Sequence, residues 1–317
     1  MKNGALRKLR WFHILILAVG ALLLVSLSPV YPARVYSTDE DITLVALTFD
    51  DGYNSWVSEA MPILAEYGLT ATGYIRPPEY RENFTWEDVR TLYDAGWEIG
   101  WHTVEHTQVD VAASSIIEDD FAGSKTLFES HGLPAPATFA YPAGKHDSES
   151  MEITARYFVA ARTMHDGVNT PRDVQENPYH LKQFSMEKGV AFLEKKIDKY
   201  RDEDMFVVLA GHTIGEIAPW QTHPDITVDD FRTLAAFLSE EQADGKIKVV
   251  TLLEGVEIMQ QRGDGSGWRL QVDSPFDTWY RFWKIPVPER YYIYYEDVVQ
   301  GWIGHRFPKL VRWLDSY

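Results

Sequence analysis

The sequence predicts an α/β barrel, closed or nearly closed, of seven or eight parallel strands, preceded by one N-terminal transmembrane helix. Three observations carry that expectation. Eight short apolar, β-rich runs occur at 42–49, 71–75, 97–101, 137–141, 157–161, 181–186, 205–210 and 247–252. Helical patterns fall between several of them, at 56–67, 85–95, 115–131, 188–200 and 227–241, which is the alternation of βα units and a parallel sheet. A separate apolar stretch at 11–27 comes before all of these. An open sheet is the alternative arrangement of the same strands.

Lys2, Arg7, Lys8 and Arg10 stand before the 11–27 stretch and only Arg34 soon after it. That stretch is at the short end of what crosses ~30 Å of hydrocarbon, and the charge bias predicts an inside amino terminus and an outside body. Signal peptidase wants small residues at its −3 and −1 positions. Proline or tyrosine spoils each register of Ser28-Pro29-Val30-Tyr31-Pro32-Ala33, so 1–28 is expected to be an uncleaved anchor. A cleaved signal with a secreted body is the alternative. Residues 29–41 read as a tether, 42–262 as the barrel and 263–317 as an extension. Inside the barrel, Thr85-Trp86-Glu87-Asp88 resembles a capping signal, and Gly68, Gly96 and Gly132 sit where helices should stop.

Composition narrows the function. The 317-residue chain is 45% hydrophobic and 24% charged, which excludes wholesale disorder. It has no cysteine, so a disulfide framework, a thiol nucleophile and Cys-ligated zinc or iron–sulfur sites are excluded. Net charge is −17, although the first 34 residues contain bases and no acids; a body that acidic repels phosphate backbones, and no nucleic-acid partner is expected.

A barrel gathers its active site at the C-terminal ends of its strands, and four strand ends carry polar residues. The first is Thr48-Phe49-Asp50-Asp51-Gly52. Adjacent strand residues point to opposite faces, so two carboxylates share one site only where the strand breaks. Gly52 allows a break, and alone the segment reads first as a polar turn. The second is His102-Thr103-Val104-Glu105-His106, whose histidines at i and i+4 lie on one face of a helical turn, within reach of one cation. With a carboxylate from another strand end they make a two-histidine, one-carboxylate site. The third, Phe139-Ala140-Tyr141-Pro142-Ala143-Gly144, fixes an unusual turn able to aim a peptide N–H at a ligand. The fourth is Val207-Val208-Leu209-Ala210-Gly211-His212, whose histidine becomes a candidate acid if it shares that mouth.

Taken in order, these segments resemble the motifs of the polysaccharide deacetylase family, carbohydrate esterase family four, over roughly 42–261. The resemblance implies a distorted (β/α) barrel and a divalent metal, usually zinc, with Co2+, Ni2+ or Mn2+ as other occupants. It also implies hydrolysis of N-acetyl, or sometimes O-acetyl, groups on a polysaccharide substrate. By position, Asp50 resembles the general base, Asp51, His102 and His106 the metal triad, the Tyr141 amide the oxyanion donor and His212 the general acid. Many relatives carry an arginine where Ala140 stands, paired with the catalytic aspartate; the Phe-Ala-Tyr-Pro form matches a variant branch. Arg162, at the end of the fifth strand, is the candidate replacement cation. The acid that tunes His212 is not identifiable, with Asp166 and Asp173 as weak candidates.

Residues 268–317 hold five tryptophans and the pairs Tyr291-Tyr292 and Tyr294-Tyr295, read as a lid packed on the barrel, a sugar-binding surface or an interfacial contact. Two other readings stand beside the hydrolase: a non-catalytic polysaccharide-binding surface protein on the same fold, prompted by Ala140 and the aromatic extension, and a metal hydrolase acting on a non-sugar amide.

Overall fold

A computed structural model describes residues 42–81 and 83–262. The expected anchor, tether and aromatic extension lie outside these residues. No helix among the described residues is long and apolar enough to cross a membrane.

Eight parallel strands form the core: β1 (Thr43–Asp51), β2 (Thr72–Ile75), β3 (Glu98–Trp101), β4 (Thr138–Ala140), β5 (Ala160–Asp166), β6 (Leu181–Ser185), β7 (Phe206–Gly211) and β8 (Ile247–Val250). The first seven close on themselves, since β1 pairs with both β2 and β7. The eighth strand lies outside the ring. It pairs with Thr43–Ala46 of β1, whereas β2 pairs with Thr48–Asp51, so the two share one edge of β1, below and above. The expected barrel is therefore a seven-stranded closed ring with one extra strand, and the open-sheet alternative is excluded.

β1 is buried along its whole length, as an apolar strand enclosed on both faces must be. Its alternation divides the core. Leu44 and Ala46 join Tyr74, Ala140, Ala160, Phe206 and Val208 in one cluster, while Val45, Leu47 and Phe49 join the layer under the outer helices. Leu252–Gln261 sends Val256 and Met259 into the first cluster. The Leu253 N–H and the Thr72 and Thr138 hydroxyls all donate to the Glu98 carboxylate, tying that helix to β2, β3 and β4.

The helices that flank the ring begin where the chemistry of their first residues allows. Trp86–Asp94 starts in the capping box of Thr85 and Asp88 that the sequence foreshadows. Ser148–Tyr157 and Pro171–Glu176, which the periodicity does not announce, start in boxes built by Asp147 with Ser150 and Thr170 with Asp173. The first of these displaces the fifth strand: Tyr157 is helical, and β5 begins at Ala160 and runs on to Asp166. Arg162 and His165 are thus strand residues.

By the period of two, Thr48 and Asp50 follow Leu44 and Ala46 toward the lumen. Asp50 is in register with Tyr74, and Tyr74 with Gly100. A Cβ at Gly100 would meet the Tyr74 ring at 2.5 Å and the Thr138 carbonyl oxygen at 3.0 Å, so the missing side chain gives the ring its space. Gly100→Ala is expected to destabilise the barrel by ~1–3 kcal/mol through overpacking, measured as a lowered urea midpoint; an unchanged midpoint would show that the ring has room to retreat.

Candidate active site

Parallel strands deliver all their C-terminal ends to one mouth; Asp50, His102, Tyr141 and His212 stand at or just past those ends, and Arg162, the third residue of β5, joins them through its bond to Asp50. Asp50 arrives by strand alternation. Asp51 has the opposite parity and reaches the same site because its own backbone is left-handed, with φ 78°, followed by Gly52 at 83°. A Cβ on Gly52 would also lie 2.8 Å from the Phe84 ring, so this turn has no room for another residue.

Residues 102–106 form no helical turn, contrary to the spacing argument. Thr103 and His106 are both left-handed, with φ 61° and 57°, and the Thr107 N–H donates to the Thr103 hydroxyl at 2.9 Å. This reversal brings the two rings to 5.0 Å between centroids. One ligand atom from each of Asp51, His102 and His106 falls within 4.8 Å of the others.

The donor set suits a divalent cation. His102 Nδ1 lies 2.8 Å from the Ala140 carbonyl, a contact that places the proton on Nδ1 and leaves Nε2 with its lone pair. Burial lowers the His102 pKa, against the raising influence of Asp50 and Asp51, which favours the neutral, ligating form. Asp51 Oδ1 is buried without a hydrogen-bond partner among the described residues, and lies 3.9 Å from both His102 Nε2 and Arg76 Nη1. A buried carboxylate oxygen with unspent lone pairs beside two imidazoles is what an ion of the zinc class requires.

Asp50 stays outside that trio. Arg162 Nη2 donates to both of its oxygens, and the two side chains are 1% and 7% exposed. Arg162 is the in-register neighbour of Ala140 on the adjacent strand, so the cation comes from one strand over while alanine leaves the space open. Its guanidinium also lies 5.5 Å from the centroid of the Tyr74 ring. Burial by itself would push Asp50 up; the charge of Arg162, helped by His102 and His212, outweighs it and holds the carboxyl at about 2.

His212 has a partner that the sequence did not disclose. Its Nδ1 donates to Asp225 Oδ2 at 2.8 Å, and its backbone N–H donates to the same oxygen. Ile214 bridges to Ile226, which returns the chain and sets Asp225 behind the ring. Burial lowers the His212 pKa, but the Asp225 hydrogen bond and the charges of Asp50, Asp225 and Asp51 together raise it above 6.5. The two acids weighed from sequence are engaged elsewhere: Asp166 pairs with Lys188, and Asp173 caps its helix and faces Lys182 at 3.4 Å.

The Tyr141 amide is not free to face a ligand. It donates to the Arg162 carbonyl at 3.0 Å, a rung between β4 and β5. In the same turn Pro142 has no N–H and that of Gly144 donates to the Tyr141 carbonyl at 2.8 Å, while the N–H of Ala143, itself left-handed at φ 54°, has no partner among the described residues. Trp220 is a second residue that sequence reasoning missed. It is 58% exposed, its ring lies 5.0 Å from that of His212, and its indole N–H is 3.3 Å from the Tyr53 hydroxyl.

Residues 38–161 match the family model described as polysaccharide deacetylase. That segment resembles the members of this family. Over 114 residues the chain is 27% identical to YxkH of Bacillus subtilis, classed by name as a polysaccharide deacetylase, a match that covers 35% of this chain and 41% of that protein. A family 4 acetyl xylan esterase from Clostridium thermocellum, solved with a cobalt ion, is 19% identical with a TM-score of 0.48, over 68% of this chain and 91% of the esterase. A family 4 pseudoenzyme from Bacillus anthracis is 16% identical with a TM-score of 0.48, over 69% of this chain and 66% of that one.

Arg162→Met is expected to cost ~3–5 kcal/mol of stability at neutral pH, because it leaves Asp50 buried without its partner. Adding Asp50→Asn should recover most of the loss in urea titrations. The pair also has a pH signature. Asp50 is held near 2 against a usual 3.8, so its contribution is present above the ordinary carboxylate range and is lost as pH falls toward 2. Arg162→Met should abolish that acid limb of the stability profile.

Proposed function

We propose that this chain is a metal-dependent deacetylase that removes acetyl groups, N-acetyl by preference, from a polysaccharide outside the cell. One observation carries the reading: a carboxylate and two imidazoles converge on a point beside a second, unligated acid paired with a buried arginine, with a carboxylate-backed histidine facing them.

Amide hydrolysis needs an activated water, a stabilised oxyanion and a proton for the departing nitrogen. Asp51, His102 and His106 would hold the divalent ion, zinc being the occupant that best suits two imidazoles and one carboxylate; when bound, it supplies Lewis-acid activation of water and of the acyl oxygen. Asp50 takes the proton from the attacking water. A carboxylate held at about 2 is a weak base, so it suits only a water already made acidic, and Arg162 keeps it ionised and in place. His212 gives its proton to the sugar nitrogen, and the Asp225 carboxylate fixes Nδ1 as the donor so that Nε2 carries that transfer. The raised pKa favours the protonated form of His212, which suits a basic amine leaving group. The Ala143 amide, in place of that of Tyr141, is the oxyanion donor on the turn after β4; a donor of this kind is typically worth ~3 kcal/mol. The exposed Trp220 offers a face on which a sugar ring can stack.

The five bases and no acids of the first 34 residues, with the apolar run at 11–27, support an anchored body on the outer side of a membrane. The non-catalytic reading drew on Ala140. With Arg162 bonded to Asp50, that position no longer marks a lost function.

Three experiments test the assignment. Asp50→Asn should keep the metal and lose acetate release by orders of magnitude, whereas His106→Ala should lose the metal with the activity. Acetate release from acetylated glycans and from non-sugar acetamides, with and without chelator, separates the readings, and activity in both variants would sink the proposal. Asp225→Asn should move the alkaline limb of kcat to lower pH, since His212 loses the partner that raises it; a stationary limb would remove His212 from the acid role.

A further inference from the structure

A second group of ligating side chains lies outside the machinery described above. His146 follows the turn Pro142–Gly144, His165 is in β5, and His180 immediately precedes β6. Three chain segments thus each contribute one imidazole, and one ring nitrogen from each falls within 4.8 Å of the others. His146 Nε2 is 2.9 Å from His180 Nδ1, and His165 Nδ1 is 3.0 Å from His180 Nε2.

Two features of the backbone produce this meeting. Between the paired positions Arg162–Leu181 and Asp166–Gln183, β5 carries more residues than β6, and this bulge holds His165. Bulges beside active sites re-aim a side chain that regular pairing would direct elsewhere. On the other side, Gly144 at φ 66° presses against β5 so closely that a Cβ would meet the Met164 backbone nitrogen at 2.7 Å. That approach brings His146 alongside His165, with its ring stacked on Tyr141 at 4.8 Å.

The tautomer of His146 is set as that of His102 is. Its Nδ1 lies 2.9 Å from the Gly144 carbonyl, which places the proton there and turns the Nε2 lone pair toward the other two rings. We infer that His146, His165 and His180 form a second metal site, a neutral three-imidazole set that takes Zn2+ or a neighbouring transition ion such as Co2+, Ni2+ or Cu2+. Nitrogen-only donors favour these ions over Mg2+ and Ca2+, which want oxygen. Nitrogen ligands at the ~2.0–2.1 Å bonds of tetrahedral zinc stand ~3.3 Å apart; His180 meets the other two rings through opposite nitrogens and would turn to present one of them to the ion, within a set whose ligand atoms already lie no more than 4.8 Å apart. His165 is exposed, which leaves a coordination position facing solvent. An ion there would clip the turn bearing Ala143 to the strand bearing Arg162.

The test uses the full chain purified without a histidine tag, stripped with chelator and dialysed against excess Zn2+ at fixed free concentration. Elemental analysis should give two equivalents per chain. His165→Ala, a change at an exposed position, and His146→Gln should each remove one, while His106→Ala removes the other and leaves this one. In His106→Ala loaded with Co2+, visible d–d absorption should report the second site and vanish on adding His165→Ala. One equivalent in the wild type that His165→Ala leaves untouched would overturn the inference, and so would two equivalents that survive in His165→Ala. Failure of the catalytic triad would look different: His106→Ala would then keep the wild-type ratio while His165→Ala still lowered it.

Discussion

The charge pair of Asp50 and Arg162 is the constraint around which the upper lumen of the barrel is built. Removing two such groups from water costs several kcal/mol for each ion, a cost offset only by close geometry and further hydrogen bonds. The fold supplies the close geometry by taking side chains away. Gly100 admits the Tyr74 ring, the ring lies under the guanidinium, and Ala140 leaves open the space that a larger residue would fill. β1 and β5 are not neighbours in the ring, so the pair spans the lumen and ties opposite walls together. A hydrophobic pair of the same volume would be at least as stable. The charges are there for what they do to Asp50.

Backbone strain follows the same map. Five non-glycine residues among those described have positive φ, and four of them, Asp51, Thr103, His106 and Ala143, belong to the segments that form the mouth. Conformations of that kind cost of order 1–3 kcal/mol each and persist only where the surroundings over-determine them. Here the surroundings are a fully buried β1, the Phe84 ring against Gly52, and the Asp120 carboxylate, which accepts from both the Val104 N–H and the Trp101 indole. The closed ring below is regular and apolar; the irregular backbone is confined to the end where side chains must converge.

That division explains what could be read from the sequence. The eight strands were legible because parallel strands buried on both faces must be continuous apolar runs, and the polar residues at their ends were legible as interruptions of those runs. Two errors had local causes. The i, i+4 histidines read as a helical turn because spacing carries no sign of φ, and the reversal at Thr103 depends on its hydroxyl bond to the Thr107 amide. The Tyr141 amide read as free because a strand pairing between β4 and β5 cannot be counted from one strand alone. The helix Leu252–Gln261 went unread after the run at 247–252; the Thr251 cap, which accepts from the Glu254 N–H, was the available signal. Asp225 had no local signature at all. Its place is fixed by a loop that leaves after Thr213 and returns at Ile226, and only a requirement for some acid behind His212 pointed toward it.

The two groups that would exchange protons with substrate are driven in opposite directions by separate partners. Arg162 pulls Asp50 down and Asp225 pushes His212 up, while burial opposes the shift in both cases. Environments that drive a pair of titratable groups apart in this way assign one as base and the other as acid. The partners lie on different elements, β5 and the loop before Val228–Ala243, so the two shifts can be altered independently. Their mutual attraction adds to both, since the charge on each is among the causes acting on the other. An ionised Asp50 therefore helps to keep His212 protonated, and the pair of states needed to begin amide hydrolysis is also the pair that the electrostatics of the mouth favours.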